Sequence, residues 1–353
     1  MLGIVMAGGE GTRLRPLTLS KPKPMVTLLG RPVIDFVASA LVRAGVHELV
    51  VTTGYRGEQL EEHIRSWNTL FSIPSRVNQE STPMGTAGSV RLLSDEIHET
   101  CIVGSGDSVA SYEISSLLEA HKTSGAKVTM ALWEVDDPTQ YGIVGLSTKQ
   151  DGAMTEGLNE GFITKFAEKP TIEQAFSKLI NAGLYIIEPE VFDHIPLGVK
   201  YDFSKNLFPH LLEMGWPMYA KKVQGLWFDV GHPEELLKAQ TALLQNTEYL
   251  PFMLKDGSHL EDQGYSLSSC ESDSISASFI DEGCSIAAQS TLAHSYVMKG
   301  TSIGTNCNIQ SSIIGECCEI GDDVQLTNCV VGDGVMIPTG SFHANQRIPQ
   351  INS

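Results

Sequence analysis

From Leu2 to Val135 apolar runs of strand length alternate with segments whose apolar residues recur at helical spacing. Leu2 to Met6 is an apolar run that empties into a glycine-rich loop. After Pro32, the residues Val33, Ile34, Phe36, Val37, Ala40, Leu41 and Ala44 keep helical spacing up to Gly45. Glu48 to Gly54 then reads as a buried strand and Gly57 to Trp67 as a helix. The alternation continues with strands over Ile73–Asn78, Cys101–Val103 and Val128–Val135 and helices over Thr86–Leu93 and Ile114–Thr123. This βαβα rhythm predicts a mostly parallel sheet covered by helices, with ligands bound beyond the carboxyl ends of the strands. From Tyr141 the pattern is less regular. Short strands are expected around Gly142–Leu146, Phe162–Phe166 and Gly183–Ile187, and helices near Glu190–His194, Phe203–Glu213 and Glu234–Leu244, as the second half of the same domain.

Helical periodicity stops near Leu250-Pro251, and a polar, Ser-rich stretch follows to about Ser274. Beyond it, aliphatic residues fall at Ile280, Ile286, Leu292, Val297, Ile303, Ile309, Ile314, Ile320, Leu326, Val331 and Ile337, so that steps of 6, 6 and 5 sum to a repeat of 17. Three short strands per turn, each placing one aliphatic residue inward, make a parallel β-helix of the hexapeptide-repeat type. The domain expectation is therefore residues 1–250, a linker or irregular first coil over 251–274, and a hexapeptide-repeat domain over 275–353.

A length of 353 residues agrees with more than one domain, since single cores stop growing at roughly 250–300 residues. No apolar stretch reaches the length of a membrane span, and the strand-like start lacks a basic leader, so a cytoplasmic protein with no membrane partner is expected. Seven cysteines without a C-x-x-C pair fit a reducing compartment, and six of them cluster after Gly264, at places where several would be small inward fillers of the repeat. The formal charge of −18 excludes a general nucleic-acid binder. Its distribution is uneven. Residues 1–34 carry Arg13, Arg15, Lys21, Lys23 and Arg31 against Glu10 alone, whereas from Thr247 onward thirteen acidic residues face three basic ones.

The basic opening loop, Ala7-Gly8-Gly9-Glu10-Gly11-Thr12-Arg13-Leu14-Arg15-Pro16, is how a chain holds phosphates: glycines let backbone N–H groups approach an anion, and cations neutralise it. It is not a P-loop, because no Lys-Ser or Lys-Thr follows the glycines. It is not a dinucleotide fingerprint either, since Leu14 stands where a third glycine is required and Thr52 and Thr53 where an acid should end the second strand. Together with Lys21-Pro22-Lys23-Pro24, the loop resembles the signature of sugar-1-phosphate nucleotidylyltransferases. The resemblance extends to Glu80-x-x-Pro83-Met84-Gly85-Thr86, Gly106-Asp107, Tyr141-Gly142, Glu168-Lys169-Pro170, Asn181-Ala182-Gly183 and Trp227-Phe228-Asp229, in family order across residues 2–245.

The resemblance implies an α/β fold, a Rossmann-like mixed and mostly parallel sheet, followed by a left-handed parallel β-helix. It implies that Ala7, Gly8, Gly9, Gly11, Thr12, Arg13 and Lys23 hold a nucleoside triphosphate, with Glu80, Pro83, Gly85 and Thr86 at its base and ribose. Tyr141, Gly142, Glu168, Lys169 and Asn181 would bind a hexose-1-phosphate, and Asp107 and Asp229 would hold Mg²⁺. Arg13, Lys23, Asp107 and Asp229 would be the catalytic set, in a homo-oligomeric enzyme. Within the family the base loop and the β-helix most resemble mannose-1-phosphate guanylyltransferases, while thymidylyl- and uridylyltransferases for glucose-1-phosphate share most of the motifs. A non-catalytic regulatory relative should have lost some of the catalytic set, and none is lost. A hexapeptide acyltransferase would need His294 or His343 as its base, and neither lies in a recognisable motif.

Overall fold

The computed structural model describes residues 1–54, 57–272 and 274–350. Asp273, in the expected linker, and residues 351–353 of the expected repeat domain lie outside the described residues. The chain forms two compact units that do not follow sequence order: Met1–Gly9 with Phe36–Trp227, and Glu10–Asp35 with Phe228–Ser353. Among the described residues, no helix is long and apolar enough to cross a membrane.

The first unit is built on a nine-stranded sheet. Its parallel half has the order Ser75–Gln79, Glu48–Thr53, Leu2–Met6, Cys101–Ser105. Ile4, Val50 and Val103 are fully buried, as strands covered on both faces require. Leu179–Ile187 then pairs antiparallel with both Cys101–Ser105 and Val128–Glu134. Met218–Lys222 runs parallel to Val128–Glu134, and Glu160–Glu168 and Gly142–Ser147 complete the sheet as antiparallel strands. Strands Ser108–Tyr112 and Met218–Lys222 are findings that the apolar pattern does not announce. The segment expected as one helix over Phe203–Glu213 begins as a π turn, Phe203–Leu207, and becomes α-helical only at Phe208. Pro209 has no N–H with which to continue an α ladder back toward Phe203, so the wider turn precedes it.

The second unit contains three ladders of short strands that advance by 17 residues per coil. One pairs Phe279, Tyr296, Ile313, Val330 and Arg347 in register, a second Ile275, Leu292, Ile309, Leu326 and His343, and a third Ser285, Ser302, Glu319 and Met336. The aliphatic residues of the repeat form one core with Cys284, Cys307, Cys318 and Cys329. Burial pushes the Cys284 thiol up to about 11 and raises Cys307 and Cys318, so these sulfurs are packing groups rather than nucleophiles. Cys317 differs. It is exposed and has φ 53° at a corner where the neighbouring coils carry Gly300 and Gly334.

Polar backbone at the corners is satisfied by a repeating device. Ser278, Ser295 and Ser312 are fully buried; each hydroxyl donates to the carbonyl two residues earlier and accepts from the N–H 17 residues later, at 2.7 to 3.2 Å. Cys329 takes the next place in this column, its thiol donating to the Thr327 carbonyl at 3.4 Å. An unbonded buried N–H costs more than the net worth of the bond lost. Ser295→Ala, which strands the Ser312 N–H, should therefore lower stability by about 1–3 kcal/mol. Ser295→Cys should cost less. Urea unfolding of the full chain measures both, and equal losses would contradict this account of the column.

Candidate functional site

Glycines of the opening loop differ in what demands them. Gly11 has φ 66°, and a Cβ there would meet the Lys23 Cβ at 2.7 Å, so packing and conformation both require glycine. At exposed Gly9, no described protein atom comes within 4 Å of where a Cβ would stand. That cradle admits a ligand close to the backbone. The turn Thr12–Leu14 anchors itself through buried Leu14 and leaves Thr12 and Arg13 exposed.

Within the second unit this loop meets the segment after Trp227. The Gly231 N–H donates to the Asp229 carbonyl at 2.7 Å in a tight turn. A Cβ on Gly231 would lie 2.9 Å from Arg13 Nη2 and 3.3 Å from Asp229 Oδ1, so the guanidinium and the carboxylate converge on this glycine. Lys23 is buried, at 6% exposure, with its Nζ 3.5 Å from Asp229 Oδ1. Arg13, Lys23 and Asp229, about 200 residues apart in sequence, thus form one cluster.

In the first unit, the carboxyl ends of the parallel strands are tied side by side. The Ala7 N–H donates to the Thr52 carbonyl, Glu80 to Thr53 and Gly106 to Met6, each at 2.8 Å. Half-buried Asp107 follows directly, its Oδ1 accepting from Ser105 Oγ at 2.6 Å. Glu80 Oε2 accepts the Met84 N–H at 2.7 Å, and its carboxyl is raised above the usual range by burial, which that bond partly offsets. Glu80 Oε1 lies 4.0 Å from where a Gly8 Cβ would stand. Pro83 is exposed beside it. Gly85, at φ 74°, sits so tightly on Tyr201 that a Cβ would meet its carbonyl oxygen at 2.6 Å. Thr86 Oγ1 donates to Asp202 Oδ1 at 3.0 Å.

A third grouping is set by strand register. Glu168 is paired with Gly142, where a Cβ would strike Glu168 Oε2 at 2.8 Å, and the Lys169 N–H donates to the Tyr141 carbonyl at 2.9 Å. Lys169 is exposed with φ 49°. Asn181 opens a bulge in its strand; its Oδ1 accepts the Gly183 N–H at 2.9 Å and its Nδ2 donates to Tyr185 Oη at 2.8 Å. Trp227 Nε1 donates to the Ala182 carbonyl at 2.9 Å, and its ring lies edge-on to Tyr141 with centroids 5.8 Å apart. The Glu168 carboxyl is raised by burial, opposed by Lys169 and Lys205.

Two residues of this region, Asp202 and Lys205, belong to none of the sequence motifs. Asp202 bonds Thr86 and acts electrostatically on Glu168, linking the two groupings, and Lys205 faces Glu168 from the same π turn. The only signal available was that turn, which Pro209 marks indirectly. Among the described residues no three His, Cys, Asp or Glu side chains are grouped to hold a metal. Asp107 in the first unit and Asp229 in the second are each half-buried carboxylates, the hard oxygen donors of the kind that divalent cations prefer. The histidines relevant to acyl transfer are used otherwise: His294 occupies a coil corner at φ 49°, and His343 Nδ1 lies 3.0 Å from Gln346 Oε1.

Residues 2–246 match the family model described as Nucleotidyl transferase, and residues 273–349 match the one described as GMPPB C-terminal domain. Mannose-1-phosphate guanyltransferase beta-A of Xenopus laevis is 33% identical over 249 residues, 70% of this chain and 65% of that protein. Mannose-1-phosphate guanyltransferase of Saccharomyces cerevisiae gives the same figures. Mannose-1-phosphate guanylyltransferase catalytic subunit beta of Danio rerio is 33% identical over 261 residues, 73% of this chain and 69% of its own. The chain thus spans about 65% of the length of the Xenopus and yeast relatives. With the family model covering well over half of its residues, the chain belongs to the nucleotidyl transferase family.

Proposed function

We propose that the chain transfers the guanylyl group of GTP to mannose-1-phosphate, giving GDP-mannose and pyrophosphate. The observation that carries the transferase reading is the cluster of Arg13, Lys23 and Asp229. The choice of GTP and mannose rests on the names of the relatives. In this reading the region up to residue 250 carries the chemistry and the repeat domain supports it.

A phosphate oxygen of the sugar phosphate attacks the α-phosphorus, and pyrophosphate leaves in line. Because that oxygen is already ionised near neutral pH, no general base is required. Positioning and charge neutralisation then account for the acceleration. Arg13 and Lys23 take the triphosphate, with Gly8, Gly9, Gly11 and Thr12 offering backbone N–H groups to it and Ala7, whose own N–H is held by the Thr52 carbonyl, opening the loop. Glu80, Pro83, Gly85 and Thr86 line the base side. Lys169 takes the sugar phosphate, while Glu168 and Asn181 bond its hydroxyls beside Tyr141 and Gly142. We add Asp202 and Lys205 to this half, because both act on Glu168.

The family works with a divalent metal. We assign Mg²⁺ to Asp107 and Asp229, where it would neutralise phosphate charge when bound. Two consequences are measurable. With Mg²⁺ and a panel of nucleoside triphosphates and hexose-1-phosphates, pyrophosphate release should be fastest for GTP with mannose-1-phosphate. Faster release with dTTP or UTP and glucose-1-phosphate would move the assignment within the family, and silence across the panel with folded protein would remove the enzyme reading. Asp107→Ala should lower kcat by about 10²–10³-fold while leaving the unfolding midpoint nearly unchanged; unimpaired turnover would take Asp107 out of the site.

A further inference from the structure

The outer face of one β-helix ladder is unlike the other two. Its outward column runs Phe279, Tyr296, Ile313 and Val330, all buried, whereas in another ladder Ser285, Glu319 and Met336 are exposed and Ser302 between them is half-buried. At the fifth coil the repeat places Arg347 in the apolar column, in register with Val330. Its Nη1 donates to the carbonyls of both Arg13 and Arg15, each at 2.7 Å. The loop's own turns use the carbonyls of Gly11, Thr12, Leu14 and Pro16. Arg347 takes the two between them.

Other residues of the same unit grip the loop further along. The Lys21 ammonium pairs with Glu316 and, at 3.1 Å, with Asp333, whose Oδ1 in turn accepts the Glu316 N–H at 2.9 Å. Ser20 donates to Asp333 as well. Gly332 lies under Pro16, so that a Cβ there would meet the Pro16 Cβ at 3.0 Å. Tyr296 Oη donates to Thr27 Oγ1 at 3.0 Å. The two signature lysines therefore divide the work: Lys21 is spent on the coil, and Lys23 points to Asp229.

We propose that Arg347 is a positioning residue for nucleotidyl transfer: by fixing the carbonyls of Arg13 and Arg15 to the last coil, it sets the Arg13 guanidinium beside Asp229 for the triphosphate. This rests on the reading of the loop given under Proposed function. The bonds are charge-assisted, and two acceptors on one donor nitrogen define the loop's position and not merely its proximity. Misplacing a charge-neutralising group by about 1 Å can cost on the order of 10²-fold in rate.

The test uses the full chain with Mg²⁺, GTP and mannose-1-phosphate. Arg347→Met keeps a long apolar stem without donors, and Arg347→Lys restores a positive charge on an ammonium that ends one bond short of the guanidinium nitrogen. Arg347→Met should lower kcat/KM for GTP by roughly 10- to 100-fold, with KM for mannose-1-phosphate changed less than about twofold. Arg347→Lys should recover part of that loss. Amide hydrogen exchange should quicken over residues 11–19 in Arg347→Met and stay slow over the coils. Unchanged kinetics overturn the inference, as does a lysine that rescues nothing, or a loss accompanied by faster exchange throughout the coils. If the unaltered protein releases no pyrophosphate, the proposed activity fails instead, and the exchange of residues 11–19 in Arg347→Met still decides the anchor.

Discussion

Four cations, Arg13, Arg15, Lys21 and Lys23, stand within eleven residues of one loop, and their mutual repulsion is the constraint around which this chain is arranged. Such a loop keeps one shape only if carboxylates and carbonyls elsewhere in the fold hold it. Asp229 faces Arg13 and Lys23, Glu316 and Asp333 hold Lys21, and the Arg13 and Arg15 carbonyls are held by a fifth cation, Arg347. The acidic surplus of the C-terminal part therefore has a local use. Glu316 and Asp333 neutralise the lysine that anchors the loop to the coil.

This arrangement explains why the compact units cut across the sequence. Residues 10–35 form short turns and a two-stranded hairpin, and they group with the β-helix and the residues after Trp227. The β-helix suits that task. Its 17-residue register fixes each outward side chain relative to those above and below, so a column such as Tyr296, Ile313, Val330 and Arg347 is a rigid template. Buried serine ladders satisfy the corners, leaving the outer face free to be specialised on one side alone.

Much of this was legible beforehand. The repeat of 17 was readable because an inward aliphatic residue is obligatory in every strand, and the register follows it residue for residue. The parallel half of the sheet announced itself by fully apolar strands such as Leu2–Met6. The loop's cationic character was also plain from composition. Its partners were not, because Arg347 and Asp333 lie some 300 residues away and carry no local pattern that distinguishes them from solvated charges. Asp202 and Lys205 stayed hidden for a related reason: a π turn has no sequence period of its own, and their role exists only through Glu168 and Thr86 across the fold. Gly9 and Gly11 look alike in sequence, yet one is demanded by Lys23 and the other leaves open space.

In the proposed function the opening loop is the triphosphate-binding half of the site, with Lys23 as its buried cation. Isothermal titration of GTP into the full chain without sugar phosphate tests it most directly, comparing the unaltered protein with Lys23→Ala. The account predicts that affinity for GTP falls by at least about tenfold, the worth of one charge-assisted bond, while mannose-1-phosphate binding is retained. Equal GTP affinity in the two proteins would contradict it.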